Sequence, residues 1–297
     1  MSSRSRTLAG IGYLILAVAC FATLDTTVKL MSASLSLLIM LWFRYAIQAI
    51  LSTAILWPGR GRKVLFTHRP GLQFMRAVLL LGCSLLAFGS LKFMPVGEFT
   101  AIALLAPLSI TLVAAWLFKE HVSGLRWLLV LGGFVGTLMI IQPSRDDFQW
   151  ALLLPLGLVV VNTGFQLMTR ELARTEDPMT THLYTSWIGT GLMTLALPWV
   201  WEWPSGATLW ALLIFSGVMG ALGHFILILA YARAPAPTLT PFMYAQIGFG
   251  VLGGWLVFSH VPDHWAALGM ALIALCGALG AWLTVREGRI RVDPPEI

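Results

Sequence analysis

Apolar runs of membrane-spanning length alternate with short polar or proline-bearing breaks along all 297 residues. They predict ten helices: Leu8 to Leu30, Leu35 to Trp57, Leu72 to Leu91, Val96 to Phe118, Leu125 to Ile141, Phe148 to Met168, Thr180 to Val200, Ala207 to Ala230, Pro237 to Phe258 and Trp265 to Val285. Hydropathy rather than an amphipathic period carries this assignment. The predicted fold class is therefore an all-α polytopic membrane protein.

Composition removes the alternatives. Hydrophobic residues make up 58% of the chain and charged residues 11%, against roughly a quarter charged in soluble domains. The 13 tryptophans and 28 glycines suit bilayer interfaces and close helix packing. At about 20 apolar residues per span, ten spans leave no room for a soluble catalytic domain. The longest polar interval, Pro58 to Gly71, is too short to fold alone. Cys20, Cys83 and Cys276 lie inside apolar runs and form no disulfide framework. The first run starts at Thr7, leads to Asp25 and Lys29 without a small-residue cleavage site, and reads as a retained span.

The net charge of +6 raises nucleic acid as a partner, but no segment interleaves a basic stripe with aromatics, and none is expected. Charge placement orients the chain instead. With the N-terminus in the cytoplasm, Arg4, Arg6, Arg60, Arg62, Lys63, Arg69, Arg76, Lys119, Arg126, Arg170, Arg174, Arg233, Arg286, Arg289 and Arg291 lie inside. Only Lys29, Lys92 and Arg145 fall outside, and Arg44 is left within a span. The bias predicts both termini in the cytoplasm.

The halves resemble each other. Met94-Pro95-Val96 returns as Ala234-Pro235-Ala236, His121-Val122 as His260-Val261 and Gly136 as Gly277, at offsets of 140, 139 and 141. The near-constant shift predicts duplication of a five-helix unit, residues 1–145 and 146–297. Five is odd, so the second copy enters from the opposite side. Inverted repeats are the architecture of alternating-access carriers.

Charges within spans are expensive and call for a partner or an aqueous cavity. Asp25 and Lys29 lie four residues apart on one face of the first helix, Arg44 lies within the second, and Glu98 opens the fourth. Their formal charges cancel. Arg44 is the leading candidate, because a forked guanidinium suits a carboxylate or phosphate; the other reading of all four is a buried network that locks helices. Asp25 or Glu98 would serve as the group that takes up a coupling proton. The second half adds Asn162, Gln166, His182, His224, Tyr244 and Gln246, of which Gln166, His224, Tyr244 and Gln246 join the candidate solute-binding set. Phe165, Tyr45 and other aromatics offer surface for a ring-bearing solute.

Other chemistry is missing. His260 and His264 are spaced for one helical face, but Pro262 interrupts them, and no metal is expected. There is no Walker loop, dinucleotide fingerprint or nucleophile elbow, so neither a cofactor nor an enzymatic activity is expected. Gly132 with Gly136 and Gly250 with Gly254 have spacings that permit a homodimer.

Phe43-Arg44, Phe93-Met94-Pro95, Pro107 and Lys119-Glu120-His121-Val122, in this order across ten helices, resemble the EamA branch of the drug/metabolite transporter superfamily. The resemblance implies a secondary active transporter of amino acids, nucleotide-like compounds, vitamins or other metabolites in the bacterial inner membrane. It makes Arg44 a cavity or helix-locking residue and places Glu120 in a cytoplasmic motif. Ser259-His260 departs from the pattern, where an acidic residue often closes the matching helix. Asp25 with Lys29 is similar to members that carry S-adenosylmethionine or riboflavin. A channel-like protein or scaffold is the rival reading, separated from a carrier by saturable counterflow.

Overall fold

The computed structural model describes residues 3–109, 113, 124–142 and 150–290. All regular elements among these are helical: α1 (Ser3–Met31), α2 (Leu37–Arg60), α3 (Pro70–Phe93), α4 (Val96–Ala103), α5 (Gly124–Ile141), α6 (Leu154–Leu172), α7 (Pro178–Val200), α8 (Gly206–Tyr231), α9 (Ala236–Met243), α10 (Ala245–Phe258) and α11 (His264–Ile290). Most ends lie within four residues of the hydropathy boundaries, while α1 begins at Ser3 rather than Leu8, α6 at Leu154 rather than Phe148, and α11 ends at Ile290 rather than Val285. Seven helical segments are long and apolar enough to cross a membrane by length and composition, with α6 and α7 not among them. This is an all-α, multi-pass membrane protein. The Lys119-Glu120-His121-Val122 motif, Arg145 and the predicted end of the fourth span lie outside the described residues.

Two of the predicted spans are broken. The path of α4 turns at Leu104 and Leu105 and resumes as helix at residues 106–109, while the Pro237 to Phe258 run is divided at Tyr244 into α9 and α10. A proline stands three residues from each break, Pro107 after Leu104 and Pro241 before Tyr244. Proline lacks the N–H for the ladder and its ring crowds the carbonyl four residues back, which accounts for the break before Pro107; Tyr244 lies after its proline and is not explained in this way. Pro95 and Pro235 are the N-caps of α4 and α9, with nearly the same extended backbone, φ −62° and ψ 150° against φ −66° and ψ 148°.

Helices before residue 142 pack chiefly on helices after residue 150. α1 lies along α8 and α10, α2 against α7 and α8, α3 against α6 and α7, α4 against α10 and α6, and α5 against α11. Glycines permit the closest approaches. A Cβ on Gly136 would come 2.8 Å from the carbonyl oxygen of Gly269, and one on Gly132 would meet Cys276 Sγ at 2.6 Å. That stripe joins α5 to α11 within the chain and supplies no face for a second copy. Gly223 on α8 accepts the Phe21 ring of α1 in the same manner, with 2.7 Å from ring to a built Cβ.

Candidate solute-binding site

Arg44 on α2 is 6% exposed and reaches groups on two other helices. Its Nη1 donates to Ser84 Oγ on α3 at 2.7 Å, and its Nη2 lies 3.4 Å from His224 Nε2 on α8. Arginine only donates, so His224 accepts through Nε2 and carries its proton on Nδ1 as a neutral ring. Ser84 is saturated. It donates to the Leu80 carbonyl at 2.9 Å and accepts from Arg44, so Tyr45 Oη at 2.9 Å must be the donor to its second lone pair. Phe88 lies 5.7 Å from the guanidinium, and Phe21 meets His224 edge-on at 4.9 Å. Nε of Arg44 is buried and has no partner.

Arg76 counts by sequence only toward the cytoplasmic excess of basic residues, with no place in the candidate site, and the structure shows what it touches. It lies more than one turn inside α3, half-buried, and crosses to the second half of the chain. Nε donates to Thr169 Oγ1 on α6 at 2.7 Å and Nη1 to Thr185 Oγ1 on α7 at 2.5 Å, while the Phe165 ring lies 4.6 Å away. Both threonines donate to carbonyls one turn back, Thr169 to Phe165 and Thr185 to Thr181, which turns their lone pairs toward the arginine. The rings of His182 and His224 are 5.8 Å apart beside this pair. No carboxylate approaches within 4 Å of Arg44 or Arg76 among the described residues. Two guanidiniums bonded to neutral partners make this region rich in donors.

Asp25, 9% exposed on α1, lies within electrostatic reach of Arg44 and beside the Gln246 amide of α10. Gln166 is half-buried on α6, next to Phe165. Thus Arg44, His224, Asp25 and Gln246 come together, and Gln166 is on the helix that holds Arg76. Tyr244 turns elsewhere: its hydroxyl donates to the Leu104 carbonyl at 3.2 Å.

Lys29 and Glu98 are at one end of the bundle. Lys29 Nζ donates to the carbonyls of Leu91 and Met94 at 3.0 and 2.9 Å, closing the C-terminus of α3, and passes 5.8 Å from the Phe258 ring. Glu98 meets His260 Nε2 at 3.3 Å. A left-handed Ser259, φ 53°, ends α10 and turns His260 out of the helix, so His260 and His264 do not share a helical face.

At the other end, the α2–α3 connection is tied to the α6–α7 connection. Arg60 pairs with Asp177 at 2.7 Å and Arg69 with Glu171 at 2.9 Å. Glu176 Oε1 accepts from the backbone N–H groups of His68 and Arg69 at 2.8 and 3.1 Å, a carboxylate at the N-terminus of α3. A cavity of about 530 Å³ lies among these ties, lined by Lys63, Phe66, His68 and Thr180 among others. It is separate from the Arg44 cluster.

Apolar helices thus surround a cluster of polar side chains drawn from both halves of the chain, in a multi-pass membrane protein. A model of the EamA-like transporter family matches residues 8–142. The chain is 34% identical to a riboflavin transporter of Vibrio cholerae over 84% of each chain, and 32% identical to a riboflavin transporter of Rhizobium johnstonii over 91% of this chain and 89% of that one. An S-adenosylmethionine uptake transporter of Rickettsia felis is 25% identical over 90% of each. A solved crystal structure aligns with 96% of this chain and 99% of its own at a TM-score of 0.65 and 20% identity, a likeness of fold. The chain belongs to the EamA-like transporter family. It is a small-metabolite transporter and not an enzyme.

Proposed function

We propose that this protein is a secondary carrier that moves a flavin-like solute across the bacterial inner membrane by alternating access, with both termini in the cytoplasm. The observation that carries the reading is the pair Arg44 and Arg76, two guanidiniums without a carboxylate partner, held between helices from both halves of the chain. Such a cluster favours a planar solute with several acceptor atoms, able to take hydrogen bonds from the forks and to lie against Phe165, Phe88 and Tyr45. Asp25 and Gln246 supply the opposing acceptors. The names of the relatives at 34% and 32% identity point to the same class.

Residues 1–145 and 146–297 are read as two inverted five-helix repeats, and α9 with α10 counts as one of ten spans. Contacts support this. Exchanging each helix for its counterpart turns the α1–α8 contact into α6–α3, α2–α8 into α7–α3 and α1–α10 into α6–α4, all of which occur. The matching caps Pro95 and Pro235, and the breaks at Leu104 and Tyr244, support it further. Rocking of these units would expose the cluster to each side in turn.

The test is counterflow in proteoliposomes. Vesicles loaded with unlabelled riboflavin are expected to accumulate labelled riboflavin transiently, saturably, and only weakly when the protein carries Arg44→Ala. Absence of counterflow with riboflavin, alongside counterflow with S-adenosylmethionine, would replace the substrate class; linear, unsaturable flux would replace the carrier by a channel.

A further inference from the structure

Asn162 and Gln166 lie four residues apart on α6. They share a helical face with Pro155, Leu158 and Val159, all buried, while Val160 on the opposite face is 72% exposed. The Asn162 face therefore points into the protein. Yet both residues remain partly exposed on this inward face. Neither has a hydrogen-bond partner among the described residues. An amide on this inward face without a protein partner is available to a polar group of the solute. Phe165, between them in sequence and about 60° round the helix, already faces the Arg76 guanidinium at 4.6 Å.

A carboxamide presents a donor and an acceptor in one plane. Its complement is a planar edge that offers an acceptor beside a donor, as in a cyclic imide or lactam, the pairing by which Asn and Gln read base edges. Charged or purely accepting groups do not match it, and Arg44 and Arg76 already provide for those. We propose that Asn162 and Gln166 form a specificity subsite that reads the C=O/N–H edge of the solute's heterocycle, with Phe165 against the ring face. This inference rests on the flavin reading, whose pyrimidinedione ring carries such an edge, and it names the residues that distinguish that ring from other solutes.

Blocking the edge on the ligand separates recognition from folding. Binding of riboflavin and of its N3-methyl derivative to the purified full-length protein, followed by quenching of flavin fluorescence, is the measurement. Methylation removes the edge donor and is expected to weaken binding to the unaltered protein about tenfold. In Asn162→Leu/Gln166→Leu the two ligands are expected to bind within about twofold of each other, as one carboxamide pairing is then gone. Equal binding of both ligands to the unaltered protein would overturn the subsite and leave the flavin reading intact. A methylation penalty that persists unchanged in the double variant would also overturn it, placing the edge elsewhere. If riboflavin itself does not bind while S-adenosylmethionine does, the flavin reading falls and the subsite falls with it. A double variant that fails to fold leaves the comparison of the two ligands on the unaltered protein as the decisive arm.

Discussion

The Tyr244 hydroxyl donates to the Leu104 carbonyl at 3.2 Å across a separation of 140 residues, and each residue stands at a break in its own helical path. The separation equals the offset of the Pro95 and Pro235 caps, and the two interruptions touch one another. A broken helix leaves carbonyls that hydrocarbon cannot satisfy. Here one break answers the other.

Tyr244→Phe removes that donor and keeps the ring beside Gly277, which has no room for more than hydrogen. The variant is expected to lose about 1–3 kcal/mol of stability with solute affinity changed less than about twofold. Unfolding in mixed micelles and ligand binding on the same preparation measure the two effects.

Arg44 holds Ser84 and His224 with separate nitrogens. Lysine retains the charge but not the fork, so Arg44→Lys is expected to lose transport by about tenfold or more, close to the loss in Arg44→Ala. Near-normal counterflow in Arg44→Lys would reduce its role to that of a point charge.

Thr185→Val keeps the shape of the side chain and removes the acceptor for Arg76 Nη1. Leaving that donor unmet is expected to lower stability by about 1.5–3 kcal/mol, the worth of a hydrogen bond to a charged group, and adding riboflavin is expected to recover part of the loss by meeting it. Unfolding of the purified variant with and without riboflavin gives both values, and a loss that riboflavin leaves unchanged would restrict Arg76 to joining helices.

Lys29 closes α3 through two carbonyls. Lys29→Met is therefore expected to destabilise the protein by about 1–3 kcal/mol while solute affinity stays within about twofold. A large loss of affinity in a stable Lys29→Met protein would return this residue to the binding site.

Glu176 joins the two connections through the N-terminus of α3. Glu176→Gln weakens that charge–dipole tie and is expected to shift the carrier toward opening at this end. A cysteine in place of Thr181, in a protein whose native cysteines have been replaced, should then react faster with an impermeant thiol reagent added from that side. Unchanged labelling would make the tie dispensable to the closed state.

Hydropathy was enough to locate the helices, because the bilayer selects length and apolarity and tolerates little else. It passed over the breaks at Leu104 and Tyr244, which leave an apolar run apolar. Arg76 counted only toward orientation for a related reason: a residue six positions past Pro70 looks the same in sequence whether its side chain reaches headgroups or turns inward to Thr169 and Thr185. The sequence does hold threonines on α6 and α7, but each bonds a carbonyl one turn back and so signals no cation by itself. Lys29 and Tyr244 were legible as polar residues out of place, but the carbonyls they satisfy come from other helices. Periodicity within one helix carries no trace of them.

α6 and α7, which supply Thr169 and Thr185, are not among the helices that are long and apolar enough to cross a membrane by length and composition. They follow in the chain α2 and α3, the helices that pack on them. Their entry into the bilayer is therefore expected to draw on a partner made earlier: Arg76 of α3, which meets both threonines, would serve assembly as well as solute.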